Sequence, residues 1–248
     1  TTDTDQEILI YNAKHIKVID NLAGLNPSVI NITEASKLVK LECKNSLLLS
    51  DVRISSNNKW LKTLDLSGCT ILGTSSSSGS TFDLSDGISL EEVNLTDTKI
   101  ETVNFPVGGN LKSIKLPNTV RALDLENMPM LTSLGIGNNT SSIYRSNIVY
   151  SRLRIVDCPQ LNVSLLYNVR AESIHLENSF KDKPSGIFNL NYPNSTLDGQ
   201  SNTIESLTLR DLSCFDNANL VIYAGDFHET TPGTNSFSII NVPCDTLD

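Results

Sequence analysis

A short apolar phrase, L-x-x-[LI]-x-[LI], recurs along this chain at near-fixed spacing, and such a repeat leaves few folds open. Between Asn110 and Thr140 it is stated three times, as Leu111-x-x-Ile114-x-Leu116, Val120-x-x-Leu123-x-Leu125 and Leu131-x-x-Leu134-x-Ile136. Fixed-period self-similarity marks a solenoid, in which each unit buries its apolar side only by stacking on its neighbours. Within each phrase the apolar residues alternate with polar ones, the period of a half-buried strand. Leu64 and Leu66 are thus expected to point inward, and Thr63, Asp65 and Ser67 outward.

Extended along the chain, the phrase gives two interleaved series. The first ends at Cys43, Leu66, Leu95, Leu116, Ile136, Ile155, Leu176, Leu209 and Val242. From Leu95 to Leu176 its steps are nearly even, each close to the shortest repeat length of a leucine-rich solenoid. The second ends at Ile32, Ile54, Leu84, Phe105 and Leu125, with weaker members near Ile143, Leu165, Leu190 and Ile222. A strand on each side of a coil of about 20 residues leaves no room for a helix of about 10. The expected fold is mostly β: a right-handed solenoid of about nine coils, with parallel strands on two faces and few or no helices. Residues 1–28 fit poorly and are expected to form an N-terminal cap or extension, as a strand or a helix. Residues 29–248 form the solenoid, with insertions near 72–80, 191–203 and 225–236, where Gly, Ser, Pro and Asn accumulate.

Leu61, Leu64, Leu66 and Cys69, like Leu131, Leu134, Ile136 and Asn139, match the L-x-x-L-x-L-x-x-N/C pattern of the leucine-rich repeat. From about Ile30 to Val242 the chain resembles that family. The resemblance implies that the N/C residue satisfies backbone groups at a turn. Here the position reads Ser46, Cys69, Thr98, Thr119, Asn139, Cys158, Ser179 and Leu212, of which Leu212 departs from the pattern. The short two-strand coils are similar to repeats of bacterial surface proteins, and GGNLKSIKLPNTVRALDLENMP resembles repeat tracts of gut-bacteriophage virion structural proteins. These likenesses imply a virion or a bacterial surface or extracellular location.

A formal net charge of -9 and the lack of any long basic run argue against nucleic acid and anionic membranes as partners. No apolar run approaches the roughly 18 residues of a membrane-spanning segment. The chain opens at Thr1 with no initiator Met, basic n-region or apolar h-region, which suggests a processed chain or a fragment, and its last coil has no evident cap. The five cysteines form no C-x-x-C pair and are expected as small buried thiols, with no metal site. His15, His175 and His228 stand in no ligand or nucleophile motif.

No catalytic or cofactor-binding residue emerges, and no cofactor is implied. The outward column of the first face reads Glu42, Asp65, Asn94, Lys115, Gly135, Arg154, His175, Thr208 and Asn241, and within it Asp65, Asn94, Lys115, Arg154, His175 and Thr208 are a candidate partner-binding face. Tyr192 and Phe227, in insertions, are candidate loop contacts. Trp60, Phe82, Phe105 and Phe188 sit at or beside inward positions, whereas Tyr144, Tyr150 and Tyr167 are candidates for exposure. Asp83, Asp86 and Gly87 read as a turn leaving a strand more than as a calcium site. The N-x-[ST] triplets at Asn31, Asn94, Asn138, Asn139, Asn162 and Asn194 follow from an Asn/Ser/Thr-rich repeat. The expected function is a non-catalytic structural or adhesion module of a larger assembly such as a phage tail, fibre or capsid decoration, with protein partners or a surface receptor or glycan. A bacterial surface or secreted protein binding a host protein or glycan is the alternative. A β-helix polysaccharide-degrading enzyme is a remoter one: Asp83 and Asp124, two coils apart in one outward column with Asn104 between them, are at a spacing barely compatible with an inverting pair.

Overall fold

The computed structural model describes residues 7–9, 15–20, 22–74, 80–145, 148–184, 187–191, 204–215, 219–222, 236–243 and 246–247. These fall into two compact units, Thr1–Val120 with Ile136–Asn138, and Arg121–Gly135 with Asn139–Asp248. Both are mostly β with parallel sheets. The helical pieces among the described residues are 3-10 turns at Leu22–Leu25, Val163–Leu166 and Ser213–Phe215.

In the first unit, β1 (Glu7–Leu9), β3 (Val29–Asn31) and β5 (Asp51–Arg53) form one sheet, with Ile8, Ile30 and Val52 in register. The strands between them belong to a second sheet. It holds β2 (Val18–Ile19), β4 (Lys40–Glu42), β6 (Thr63–Asp65), β8 (Glu92–Asn94) and β10 (Ser113–Leu116), with Ile19, Leu41, Leu64, Val93 and Ile114 in register. The rungs are nearly evenly spaced in sequence, apart from one longer step from Leu64 to Val93. β7 (Thr81–Asp83) pairs with β9 (Thr102–Asn104), Phe82 opposite Val103. The expected N-terminal cap is therefore part of the ladder, since β1 and β2 carry the same register as later coils. Most of these strands are three residues long and bury the central side chain between two partly exposed ones. Each fully buried Leu of the column contributes about 1.5–3 kcal/mol.

Strand exits are fixed by local side-chain acceptors. Asn31 Oδ1 accepts the backbone N–H of Thr33 at 3.1 Å and its hydroxyl at 2.8 Å. Asp65 does the same for Ser67 at 3.0 and 2.7 Å, and Asn94 for Thr96 at 3.2 and 2.8 Å. The N-x-[ST] triplets at Asn31 and Asn94 are thus turn chemistry. The N/C positions also meet their expectation: Cys69 Sγ donates to the Cys43 carbonyl at 2.9 Å, Thr98 Oγ1 to Leu95 at 2.9 Å and Thr119 Oγ1 to Ile100 at 2.6 Å.

In the second unit, β11 (Ala122–Glu126), β13 (Tyr150–Val156), β14 (Ala171–Glu177), β16 (Ser206–Arg210) and β18 (Ser236–Ile240) form a parallel sheet. Leu125, Ile155, Leu176, Leu209 and Ile239 share one rung position. β12 (Ser133–Ile136) lies between β11 and β13 in sequence, and the 3-10 turn Val163–Leu166, in which Asn162 Oδ1 accepts the Ser164 N–H at 2.8 Å, lies between β13 and β14. β15 (Ile187–Leu190), β17 (Asn219–Ile222) and β19 (Thr246–Leu247) form the other sheet. Phe188 of β15 packs 5.0 Å from the ring of Tyr167 and 5.2 Å from that of Phe215.

This register corrects the two series. The phrase places Leu125 on the face opposite Ile155, Leu176 and Leu209, yet it stacks directly on Ile155. The step from Ile136 to Ile155 mimics one coil, but the ladder partner of Ile155 lies further back in the chain, at Leu125. The last rung falls at Ile239, opposite Leu209, and Val242 lies beyond the pairing.

The exits of this sheet share one device. Asn127, Asp157, Asn178, Asp211 and Asn241 each follow the shared rung residue by two positions, and all have φ between 42° and 53°. The left-handed region costs Asn and Asp less than other L-residues. Asn178 Nδ2 donates to Asp157 Oδ1, and Asn241 Nδ2 to Asp211 Oδ1, both at 2.7 Å.

Candidate interaction faces

The outward column of the first unit contains Glu42, Asp65, Asn94 and Lys115 on successive rungs. Lys44 Nζ lies 3.5 Å from Glu42 and 3.3 Å from Asp65, and Lys40 closes on Glu42 at 2.8 Å. Asn94 Nδ2 extends the chain to Asp65 at 3.3 Å. The Lys40 ammonium, by hydrogen bonding, holds the Glu42 carboxyl below its ordinary range, and Asp65 raises the Lys44 ammonium. At the edge of this face Glu91 bridges Lys62 and Lys112, each at 2.6 Å, and its pKa falls to about 2.

In the second unit the outward column reads Asp124, Arg154, His175, Thr208 and Ser238. Arg154 Nη1 reaches Asp124 at 2.9 Å and Glu126 at 2.6 Å, and Arg152 also contacts Asp124 at 3.1 Å. Hydrogen bonding to Glu126, ahead of Asp124, pushes the Arg154 guanidinium upward. Glu177 lies 3.0 Å from His175 Nε2 and 3.6 Å from Arg210.

The six residues expected on one face therefore divide. Asp65, Asn94 and Lys115 form one in-register run, and Arg154, His175 and Thr208 another, whose next member is Asp124. The phrase carries inward-outward parity but not sheet identity, so both runs show the same alternation. Tyr192 and Phe227, with His228, lie outside the described residues.

The aromatic assignments hold for Phe82, Phe105 and Phe188, all buried. Trp60 is instead 55 % exposed, with Lys37 Nζ 5.6 Å over its ring. Tyr150, expected at the surface, is 1 % exposed. Its hydroxyl donates to the Ile143 carbonyl at 2.8 Å, and burial raises its pKa to about 12. Tyr144 is exposed as expected. Neighbouring residues give no sign of the Trp60 reversal, because it precedes Leu61 at the position where turn geometry, not strand parity, sets direction.

Asp83 Oδ1 accepts the Ser85 N–H at 3.0 Å and the Gly87 N–H closes on Leu84 at 2.8 Å, the geometry of a turn. Among the described residues no group of three or more His, Cys, Asp or Glu is placed to hold a metal ion, and no helix is long and apolar enough to cross a membrane. Cys43, Cys69, Cys158 and Cys214 are buried free thiols, and burial pushes Cys158 and Cys214 up to about 12. No family model, curated protein or solved structure matches the chain.

Proposed function

We propose that this chain is a non-catalytic interaction and structural module of a larger assembly, a virion component such as a tail, fibre or capsid decoration. The observation that supports this reading is the in-register outward run Asp124, Arg154, His175 and Thr208, flanked by Arg152, Glu126, Glu177 and Arg210. The strands hold these side chains at a spacing of about 4.8 Å, and together they present a mixed pattern of acidic, basic and neutral polar groups to a protein surface of complementary pattern. Charge patterns of this kind set register and partner choice more than raw affinity. Acids on both faces, Glu42, Asp65, Asp124, Glu126 and Glu177, are engaged by cations, an arrangement suited to a scaffold. A bacterial surface protein with the same face is the second reading.

Immunogold electron microscopy with antibodies against this chain separates the two. Label on isolated particles from the source supports the assembly, and label on the bacterial envelope supports the second reading. Label confined to cell interiors away from particles contradicts both.

A further inference from the structure

The parallel ladder of the first unit is broken at one place. β4, β6 and β8 pair without interruption, but β5 pairs with β3 and β7 with β9 in this unit, and among the described residues no ladder bond joins β5 to β7. Two adjoining cavities of about 330 and 290 Å³ lie there, sharing Asp51, Thr81 and Phe82 in their walls. The larger equals the liquid volume of about ten waters.

The break has a physical cause. From Asp65 to Thr81 the connection is longer than those from Glu42 to Asp51 and from Asn94 to Thr102. Its described ends are drawn toward the β9 coil. The Leu72 carbonyl accepts the Lys99 N–H at 2.8 Å, and Gly73, at φ 98°, lies so close to Lys99 and Ile100 that a Cβ would strike their backbone. Ser80 Oγ donates to the Lys99 carbonyl and accepts the Glu101 N–H, both at 2.8 Å. None of these bonds reaches β5.

In a parallel strand each residue turns its N–H and C=O to the same neighbour, and the side alternates. Asp51 N–H and Arg53 C=O bond toward β3, so Val52 turns its pair toward β7. Ser80 C=O and Leu84 N–H bond to β9, so Thr81 and Asp83 turn theirs toward β5. Two edges whose donors and acceptors are open among the described residues thus face one cleft, the arrangement that strand addition uses. At its floor, Val52 and Phe82 are 6 % and 7 % exposed, which suits an inward apolar side chain between them. At its rim Arg53 is committed to Asp51 at 2.7 Å, whereas Asp83 and Asp86 have no cation partner among the described residues.

We propose that the β5–β7 cleft is a strand-accepting site that takes an extended basic peptide segment of a partner protein, of pattern basic-apolar-basic, its apolar residue entering between Val52 and Phe82 and a basic residue meeting Asp83 and Asp86. The partner is basic by charge complementarity, and a second copy of a chain with net charge -9 is the poorer match. The site stands on the broken ladder and does not depend on the polar run of the second unit.

The test is fluorescence anisotropy of the full chain with a fluorescein-labelled, amidated SKVKS peptide, with SKPKS and SEVES as controls. Saturable binding is expected, with at least tenfold loss for either control and for the double variant Asp83→Lys, Asp86→Lys, whose circular dichroism should match the parent. Peptide should also slow amide exchange at Val52, Thr81 and Asp83. Absence of saturable binding at millimolar peptide overturns the site, as does binding unchanged in the double variant. Two further outcomes overturn it: slow exchange at Thr81 and Asp83 without peptide, which places another segment of the chain in the cleft, or a concentration-dependent dimer in sedimentation velocity that the double variant abolishes.

Discussion

Asp124 and Arg154 stand directly opposite each other on the paired strands β11 and β13, with β12 between them in sequence and their charged groups 2.9 Å apart. Their side chains are 35 % and 26 % exposed, so solvent screens part of the attraction. A double-mutant cycle of Asp124→Asn and Arg154→Gln should give a coupling of about 0.5–1 kcal/mol in low salt. A high concentration of NaCl should remove most of it. A coupling indistinguishable from zero at low salt would place the two groups apart in solution.

Inward and outward positions of the strands should differ sharply in tolerance. Leu125 is fully buried, so Leu125→Asp loses its packing and leaves an unpaired charge in the column. The expected cost is on the order of 5 kcal/mol or more, comparable with the whole stability of a domain. Lys115→Glu, at a partly exposed position on β10, should shift the urea midpoint little. Chemical denaturation of the two variants checks the contrast, and equal effects reject the inward-outward assignment.

That contrast is legible in the sequence, and the sheet to which each strand belongs is not. Cys43, Leu66 and Leu95 are followed two residues on by Asn45, Gly68 and Asp97 with positive φ. Leu125, Ile155, Leu176 and Leu209 are followed in the same way by Asn127, Asp157, Asn178 and Asp211. One local grammar serves different sheets in the two units, so the step from Ile136 to Ile155 reads as a coil although the rung partner of Ile155 is Leu125. The signal available was the longer coil, which runs from Leu125 to Ile155 and again from Leu209 to Ile239. The β5–β7 break is visible only as the surplus at GTSSSSGS, since which neighbour an excursion bonds to is a tertiary matter.

The left-handed exits make a backbone prediction at Asn178, whose φ is 42° and whose side chain donates to Asp157 at 2.7 Å. Asn178→Gly keeps the conformation without strain and loses only the side-chain bond. Asn178→Val loses both, because a β-branched residue is strained there. Thermal melts should rank wild type above Asn178→Gly, and Asn178→Gly above Asn178→Val by about 1 kcal/mol or more. A Val variant as stable as the Gly variant would contradict the turn geometry.

Acid should act through Glu91. Hydrogen bonds from Lys112 and Lys62 depress its folded pKa to about 2, below the unfolded value near 4.5. Its contribution is therefore present above about pH 4.5 and is lost as pH falls toward 2. Glu91→Gln should lower the melting temperature near neutral pH and converge with wild type at about pH 2. A constant difference across that range would show that the two lysines do not hold the carboxylate in solution.

The stacking of Leu125 on Ile155 carries both the corrected fold and the proposed face, and interstrand amide contacts in a deuterated sample measure it most directly. Nuclear Overhauser effects are expected to connect β11 to β13 and β13 to β14, aligning Leu123, Leu153 and Ile174 and so Asp124, Arg154 and His175. Contacts that instead align Leu153 with Ile114 would contradict the account, returning Arg154 to the column of Lys115 and dissolving the face.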